Sequence, residues 1–99
     1  MKAFEKLDKM YNDTQVLMRE YAYSIFREMG GVTLNEPAPI TVRSERNGYK
    51  PIIEYIEEVK VLRDYPNYEF VADNGYEYYP EDIRPEELWE LLRAIKEQI

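Results

Sequence analysis

The 99-residue chain contains neither cysteine nor histidine. Without cysteine, disulfides, thiolate metal sites and cysteine nucleophiles are excluded. Without histidine, the most common general base and the most common transition-metal ligand are also absent. Ser24 and Ser44 are the only serines, and no base accompanies them in the arrangement that a serine nucleophile needs. We therefore predict that the protein is not an enzyme, with no catalytic residues, no metal ligands and no cofactor.

Long apolar runs are missing as well. No stretch approaches the roughly 20 apolar residues that span a bilayer, and the first six residues lack the apolar core of a secretory signal. The length suits one domain with one hydrophobic core. We therefore predict a single soluble domain over residues 1–99, located in the cytoplasm.

Positive charge is scarce in the last third of the chain. Residues 1–63 carry ten basic and ten acidic side chains, whereas residues 64–99 carry ten acids against only Arg84, Arg93 and Lys96, which accounts for the net charge of −7. Nucleic-acid backbones and anionic membranes repel such a chain. We predict that it binds neither nucleic acid nor membranes directly, and that its partner is a protein of unknown identity.

Apolar residues near the N-terminus recur at steps of three and four, with Thr14 filling one gap, which predicts an amphipathic helix over about residues 3–29. The apolar members of this pattern are Phe4, Leu7, Tyr11, Met18, Tyr21, Ile25 and Met29. Gly30 and Gly31 then end the helix, because glycine accepts the left-handed cap conformation. At 1.5 Å per residue the helix is roughly 40 Å long, which exceeds what a domain of this size covers.

Two outcomes follow from this length. Either the helix breaks near residues 12–14, where Asn, Asp and Thr compete for their own backbone, or its overhang packs on a second copy of the chain. We favour the unbroken helix and a homodimer through it. Its pattern also predicts that Tyr11 and Tyr21 belong to the core, as does Tyr55 further on, and that Tyr23 is exposed.

The middle of the chain predicts a first hairpin over about residues 40–62. Pro37 and Pro39 favour an extended connection over residues 32–39, followed by a short strand from Ile40 and a primed turn at Asn47-Gly48. Residues 49–62 fit either a helix beginning at Pro51 or a strand. We choose the strand, because Ile, Val and Tyr dominate the segment, and a bulge can turn Glu57 outward.

A second hairpin is predicted over about residues 67–79, around Asp73-Asn74-Gly75. A two-residue loop pairs Asp73 with Tyr76 and turns Glu77 toward the core, whereas a three-residue loop with Gly75 left-handed pairs Ala72 with Tyr76. We choose the second register, because it keeps the glutamates out of the core. One face then carries Tyr68, Phe70, Ala72, Tyr76 and Tyr78, and the other carries Glu69, Val71, Glu77 and Tyr79.

The final segment predicts a C-terminal helix that begins at Pro85, where proline is well placed. Its apolar stripe comprises Leu88, Leu91, Leu92, Ile95 and Ile99. The predicted fold class is α+β: a long N-terminal helix, a small antiparallel sheet of two consecutive hairpins, and a C-terminal helix packed on that sheet.

Local structure leaves one acidic and aromatic patch unexplained, and we take it as the candidate interaction patch. It comprises Glu69, Val71, Glu77, Tyr79, Glu81 and Asp82. The alternative is that a helix covers this face of the sheet. The first hairpin carries Arg43, Arg46 and Lys50 against Glu45, and these cations either meet an acidic edge across a dimer or are balanced internally.

Three functions fit these features. We predict a non-catalytic protein-interaction or adaptor module that self-associates through the N-terminal helix. The alternative is an acidic inhibitor that mimics nucleic acid and occupies the basic site of a partner protein with Glu69, Glu77, Glu81 and Asp82. A carboxylate enzyme is the third, and it requires a concave pocket holding at least two acids with raised pKa values.

Overall fold

The computed structural model describes residues 2–98 and confirms the α+β fold. Its main elements are α1 (Lys2–Met29), β1 (Val32–Val42), β2 (Ile52–Val61), β3 (Tyr68–Ala72), β4 (Glu77–Tyr78) and α2 (Pro85–Gln98), with short 3₁₀ turns at Glu45–Asn47 and Pro80–Asp82. The four strands form one sheet in the order β1-β2-β3-β4, and each pairs antiparallel with its neighbour. The chain therefore folds into two hairpins flanked by helices, as predicted.

The first strand is longer than predicted, because the sheet takes in residues 32–39 that we expected to form a connection. Prolines are tolerated there since β1 is an edge strand, where a missing N–H removes no ladder bond. The pairing shifts between Thr33 and Ala38. In this irregular stretch the Gln98 side-chain amide bonds both backbone groups of Glu36, at 3.1 and 2.9 Å. The end of α2 thus satisfies a backbone that the ladder leaves unpaired.

The second strand confirms the choice of strand over helix for residues 52–61, and the bulge also lies where it was expected. Ile56 pairs with Ala72 and Glu58 pairs with Val71, so Glu57 is the extra residue. The turn before this strand differs from the prediction. Residues 43–51 form a longer connection in which Asn47 ends a 3₁₀ turn and Gly48 is its left-handed cap, at φ 63°.

The second hairpin has the predicted three-residue loop. The Ala72 N–H donates to the Tyr76 carbonyl at 2.9 Å, and Gly75 lies in the left-handed region at φ 89°. Phe70 and Tyr78 are paired across the strands and point to the core. The register thus keeps Glu69 and Glu77 off the core face, as their charge requires.

Both helices cover the same face of the sheet. From the helices, the fully buried apolar side chains are Ala22, Phe26, Leu88, Leu91 and Ile95, and Leu92 is half-buried. Tyr68 makes edge-to-face contacts with Phe26 and Phe70, at ring-centroid separations of 5.3 and 5.5 Å. Tyr23 stacks on Tyr68 at 5.9 Å, so the prediction that Tyr23 is exposed was wrong. Ile99 of the predicted stripe lies outside the described residues.

Helix α1 is unbroken across Asn12–Thr14. The Thr14 hydroxyl donates to the Met10 carbonyl one turn earlier, at 2.8 Å, so its hydrogen bond is made within the helix. Residues 2–14 are all exposed. The first half of α1 therefore extends beyond the sheet, and the longest dimension of the molecule is 47 Å against 31 and 28 Å. Within residues 2–98, neither helix combines the length and apolar character that crossing a membrane requires.

Candidate interaction surfaces

Most of the apolar pattern of α1 faces solvent rather than the core, whereas its member Met18 is half-buried and packs against the core. We call the exposed part the α1 stripe, with Met10 and Leu17 beside the residues of the sequence pattern: Phe4, Leu7, Met10, Tyr11, Leu17, Tyr21, Ile25 and Met29. Tyr11 is 51% exposed and Tyr21 is 68% exposed, so the prediction that they belong to the core was wrong. The small Ala22 and the adjacent Phe26 face the sheet instead, about 100° around the helix from Tyr21 and Ile25.

An apolar groove continues this surface onto α2. The α1–α2 groove has a volume of about 740 Å³ and is lined by Ile25, Met29, Trp89, Leu92, Arg93, Ile95, Lys96 and Glu97. Trp89, the only tryptophan of the chain, is 52% exposed. Trp89 also lines a smaller neighbouring groove with Tyr11 and Met18. The stripe and the groove thus form one continuous apolar surface.

The face of the sheet opposite the helices carries part of the candidate interaction patch. Cross-strand pairing places Val71 between Glu58 and Glu77, and places Glu69 opposite Lys60. The alternative that a helix covers this face is not realised within residues 2–98, since α1 and α2 both pack on the other face. We call this surface the open sheet face.

Two further apolar residues, Ile53 and Tyr55, lie on the open sheet face and were missed as surface residues. Tyr55 is 50% exposed, contrary to the prediction that it belongs to the core. Its neighbour Ile56 is fully buried instead, because successive strand residues point to opposite faces. The sequence signal for two exposed and one buried side chain was the alternation of residues 53–56 in a strand that has a bulge at Glu57.

Glu69 differs from the other acids of the patch because it is only 9% exposed. Burial raises the pKa of its carboxyl group, and the charge of Glu77 and a hydrogen bond to it raise that pKa further. Lys60 acts in the opposite direction, and Glu58 adds a smaller increase. Because its side chain is largely buried, Glu69 is a poor surface charge for a partner.

The other end of the patch lies in a groove beside the first hairpin. This acidic groove has a volume of about 460 Å³ and is lined by Ser44, Glu45, Arg46, Tyr49, Glu77, Tyr79, Glu81 and Asp82. Asp82 also has a structural role, because its carboxylate accepts a hydrogen bond from the Tyr79 backbone N–H at 2.9 Å. The structure therefore brings four of the six predicted patch residues together in a groove, while Glu69 and Val71 belong to the open sheet face.

Arg46 is linked to the nearly buried Glu54 through the hydroxyl group of Tyr78. Its guanidinium group lies 3.5 Å from the centroid of the Tyr76 ring and donates a hydrogen bond to the Tyr78 hydroxyl. Tyr78 in turn donates to Glu54, which is 9% exposed and points to the core face between Ile52 and Ile56. The network of Arg46, Tyr78 and Glu54 was not predicted from the sequence. Its signal in the sequence was Glu54, which alternates with the inward-facing Ile52 and Ile56.

Among residues 2–98, no three acidic side chains converge in a way that holds a metal ion. Comparisons with protein-family models, with curated proteins and with solved structures found no match. A function for this chain therefore has to be argued from the surfaces described above.

Proposed function

We propose that the protein is a non-catalytic interaction module that forms a homodimer through the α1 stripe. The observation that carries the proposal is the exposure of this stripe, from Phe4 at 62% to Tyr21 at 68%. The largest apolar patch of a typical monomer covers about 300–600 Å², and larger patches mark interaction sites. Phe4, Tyr11, Tyr21 and Trp89 are 51–68% exposed, which at about 150–250 Å² for each aromatic side chain amounts to roughly 500 Å². The leucine, isoleucine and methionine side chains of the stripe bring the exposed area to the order of 1,000 Å² per chain.

This area matches what a stable dimer needs. A standard interface buries about 800 Å² on each partner. The exposed half of α1 also needs external support, because a helical segment of about 13 residues is marginal in water without packing. A second copy of the chain supplies a complementary apolar face, since a two-fold interface uses the same surface on both subunits.

A dimer of this kind leaves a second surface free for a protein partner. The open sheet face lies on the side of the sheet away from α1, and it carries Ile53, Tyr55 and Val71. Tyr79, which is 38% exposed, lies at its edge beside the acidic groove. Aromatic residues with polar tips suit such contacts. Two copies per dimer raise the effective affinity for a partner that carries two sites.

Sedimentation or light scattering over a range of concentrations tests the dimer. The wild-type protein is expected at about twice the chain mass of 11.9 kDa, and Leu7→Asp is expected to be monomeric. Val16→Asp is the matched control, because Val16 is 54% exposed yet lies nine residues after Leu7, about 180° away around the helix. A wild-type protein that stays monomeric at high concentration contradicts the proposal.

The acidic-inhibitor alternative has narrower support. The acidic groove gathers Glu77, Glu81 and Asp82, but Arg46 also lines it and Glu69 is nearly buried outside it. Binding that depends on charge weakens steeply with salt. Complexes captured on the immobilised protein and washed at rising salt discriminate the two functions: loss at moderate salt favours the inhibitor, whereas retention at about 0.5 M, where the Debye length is only a few ångström, favours the apolar interaction module.

A further inference from the structure

A seven-residue repeat runs through the α1 stripe and reaches the charged residue Glu28 near the C-terminal end of the helix. Positions 7, 14, 21 and 28 recur every seven residues and hold Leu, Thr, Tyr and Glu. Such a repeat places its members on one seam between paired helices. Glu28 is therefore the only charged side chain among these four positions, and its position in a dimer depends on the relative direction of the two helices.

The charge on Glu28 argues against a parallel pair. In a parallel pair in register, Glu28 of each chain faces its symmetry mate across an apolar seam, which is unfavourable for like charges. In an antiparallel pair it faces the N-terminal half of the other helix, where Lys2, Lys6 and Lys9 outnumber Glu5 and Asp8. Antiparallel helix dipoles add to this preference.

The two exposed apolar surfaces also fit one another only in the antiparallel direction. The overhang that projects past α2, residues 2–10, is about 14 Å long at 1.5 Å per residue, because Tyr11 already lies against Glu86 of α2. The α1–α2 groove lies beside the C-terminal half of α1, at Ile25 and Met29. An antiparallel pair lays each overhang along the partner's groove, whereas a parallel pair places the overhangs together and leaves both grooves empty.

We infer that the homodimer is antiparallel and reciprocal: the overhang of each chain fills the α1–α2 groove of the other. This inference rests on the dimer proposed above. The seven-residue repeat then sets Leu7 opposite Ile25 of the partner subunit, and Tyr11 opposite Tyr21 of the partner subunit. Glu28 lies at the level of the partner's Phe4, within reach of the partner's Lys6. Leu17 lies close to the two-fold axis.

Disulfide cross-linking tests the direction, and the chain suits it because it contains no cysteine of its own. We expect Leu7→Cys and Ile25→Cys to cross-link little when each is oxidised alone, and several-fold more when the two variants are mixed, exchanged and oxidised together. Leu17→Cys is expected to cross-link with itself. Val16→Cys is the matched control and is expected to give no cross-linked dimer, because it lies about 180° from both Leu7 and Ile25.

Occupation of the groove has a separate readout in the single tryptophan. Trp89 lines the groove and is half exposed in the isolated chain, so its emission is expected to shift to the blue as dimers form with rising concentration. Light scattering on the same samples separates the two ideas. Strong cross-linking of Leu7→Cys or Ile25→Cys alone, or an unshifted Trp89 emission, in a protein that is dimeric overturns the antiparallel arrangement and leaves the dimer standing. A monomer overturns both.

Discussion

The Tyr78 hydroxyl donates a 2.6 Å hydrogen bond to the nearly buried carboxylate of Glu54. Asn74 donates to both oxygens of the same carboxylate, at 3.3 and 3.2 Å. Arg46 donates to the Tyr78 hydroxyl from the other side. Tyr78 therefore links a buried negative charge to a surface cation that does not touch it directly, since no ion pair to Glu54 occurs within residues 2–98.

Replacing this tyrosine is expected to be costly. Tyr78→Phe leaves the Glu54 carboxylate without its shortest bond, and losing a bond to a buried charged group costs about 2–3 kcal/mol of unfolding free energy. Tyr68→Phe is the matched control, because its hydroxyl donates only to the neutral Arg19 carbonyl at 3.3 Å, and we expect about 1 kcal/mol. Urea unfolding measures both values. Equal losses for the two variants contradict the role assigned to Tyr78.

The same two tyrosines are expected to ionise only at high pH. Burial raises the pKa of Tyr68 to about 12, against a smaller opposing effect of Arg19. Burial, followed by the hydrogen bond and the charge of Glu54, raises the pKa of Tyr78 to about 12. Phenolate absorbance followed against pH is expected to show a component from these two hydroxyls that titrates near pH 12.

A consequence for stability follows from these raised pKa values. In the unfolded chain both hydroxyls ionise near pH 10, whereas the folded protein keeps them protonated. The resulting stabilisation is complete below pH 10 and is lost as the pH rises from about 10 to about 12. Urea midpoints are expected to fall over this window, and to fall less in Tyr68→Phe. A constant midpoint through pH 12 is incompatible with the two buried hydroxyls.

Neutralising Glu69 is expected to stabilise the protein at neutral pH. Its raised pKa means that the folded state disfavours the charged form, so stability falls as the pH rises from the ordinary carboxyl pKa of the unfolded chain through that raised pKa, and the loss is complete above it. Glu69→Gln is expected to raise the Tm at pH 7, and the gain is expected to vanish near pH 4. The exposed Glu81→Gln is the control and is expected to change stability by less than about 0.5 kcal/mol. A gain that persists unchanged at pH 4 contradicts the electrostatic cause.

Two glycines with the same backbone angle separate conformational strain from steric contact. Gly31 and Gly75 both have φ 89°, but a Cβ atom at Gly31 lies 2.9 Å from the Val59 carbonyl oxygen, whereas nothing lies within 4 Å of one at Gly75. Gly75→Ala is expected to cost about 1–2 kcal/mol from the left-handed conformation alone. Gly31→Ala is expected to cost about 1–3 kcal/mol more. Equal unfolding free energies in the two variants contradict the close approach at Gly31.

Local chemistry in the sequence predicted most of the elements. Gly75 selected the loop of the second hairpin, and with it the register that keeps Glu69 and Glu77 off the core face. The segment around Glu57 was correctly assigned to a strand with a bulge. Such features are predictable because they depend on residues within a few positions of one another.

Other features depended on where elements meet. The prolines near Pro37 predict a connection until the strand is known to lie at an edge of the sheet, where they remove no ladder bond. The buried network of Glu54, Tyr78 and Arg46 joins residues from three separate segments, and no local pattern pairs them.

By itself, the sequence determined that α1 is long and apolar along one side, because helix periodicity is a local property, whereas it left open a break at residues 12–14 that the structure does not contain. Only the tertiary structure decided which side of α1 is buried. The sheet is too short to cover the helix and takes Ala22 and Phe26, since the small side chain lets the helix approach and the aromatic ring fills the core. The stripe that predicted the helix is therefore left exposed on its surface.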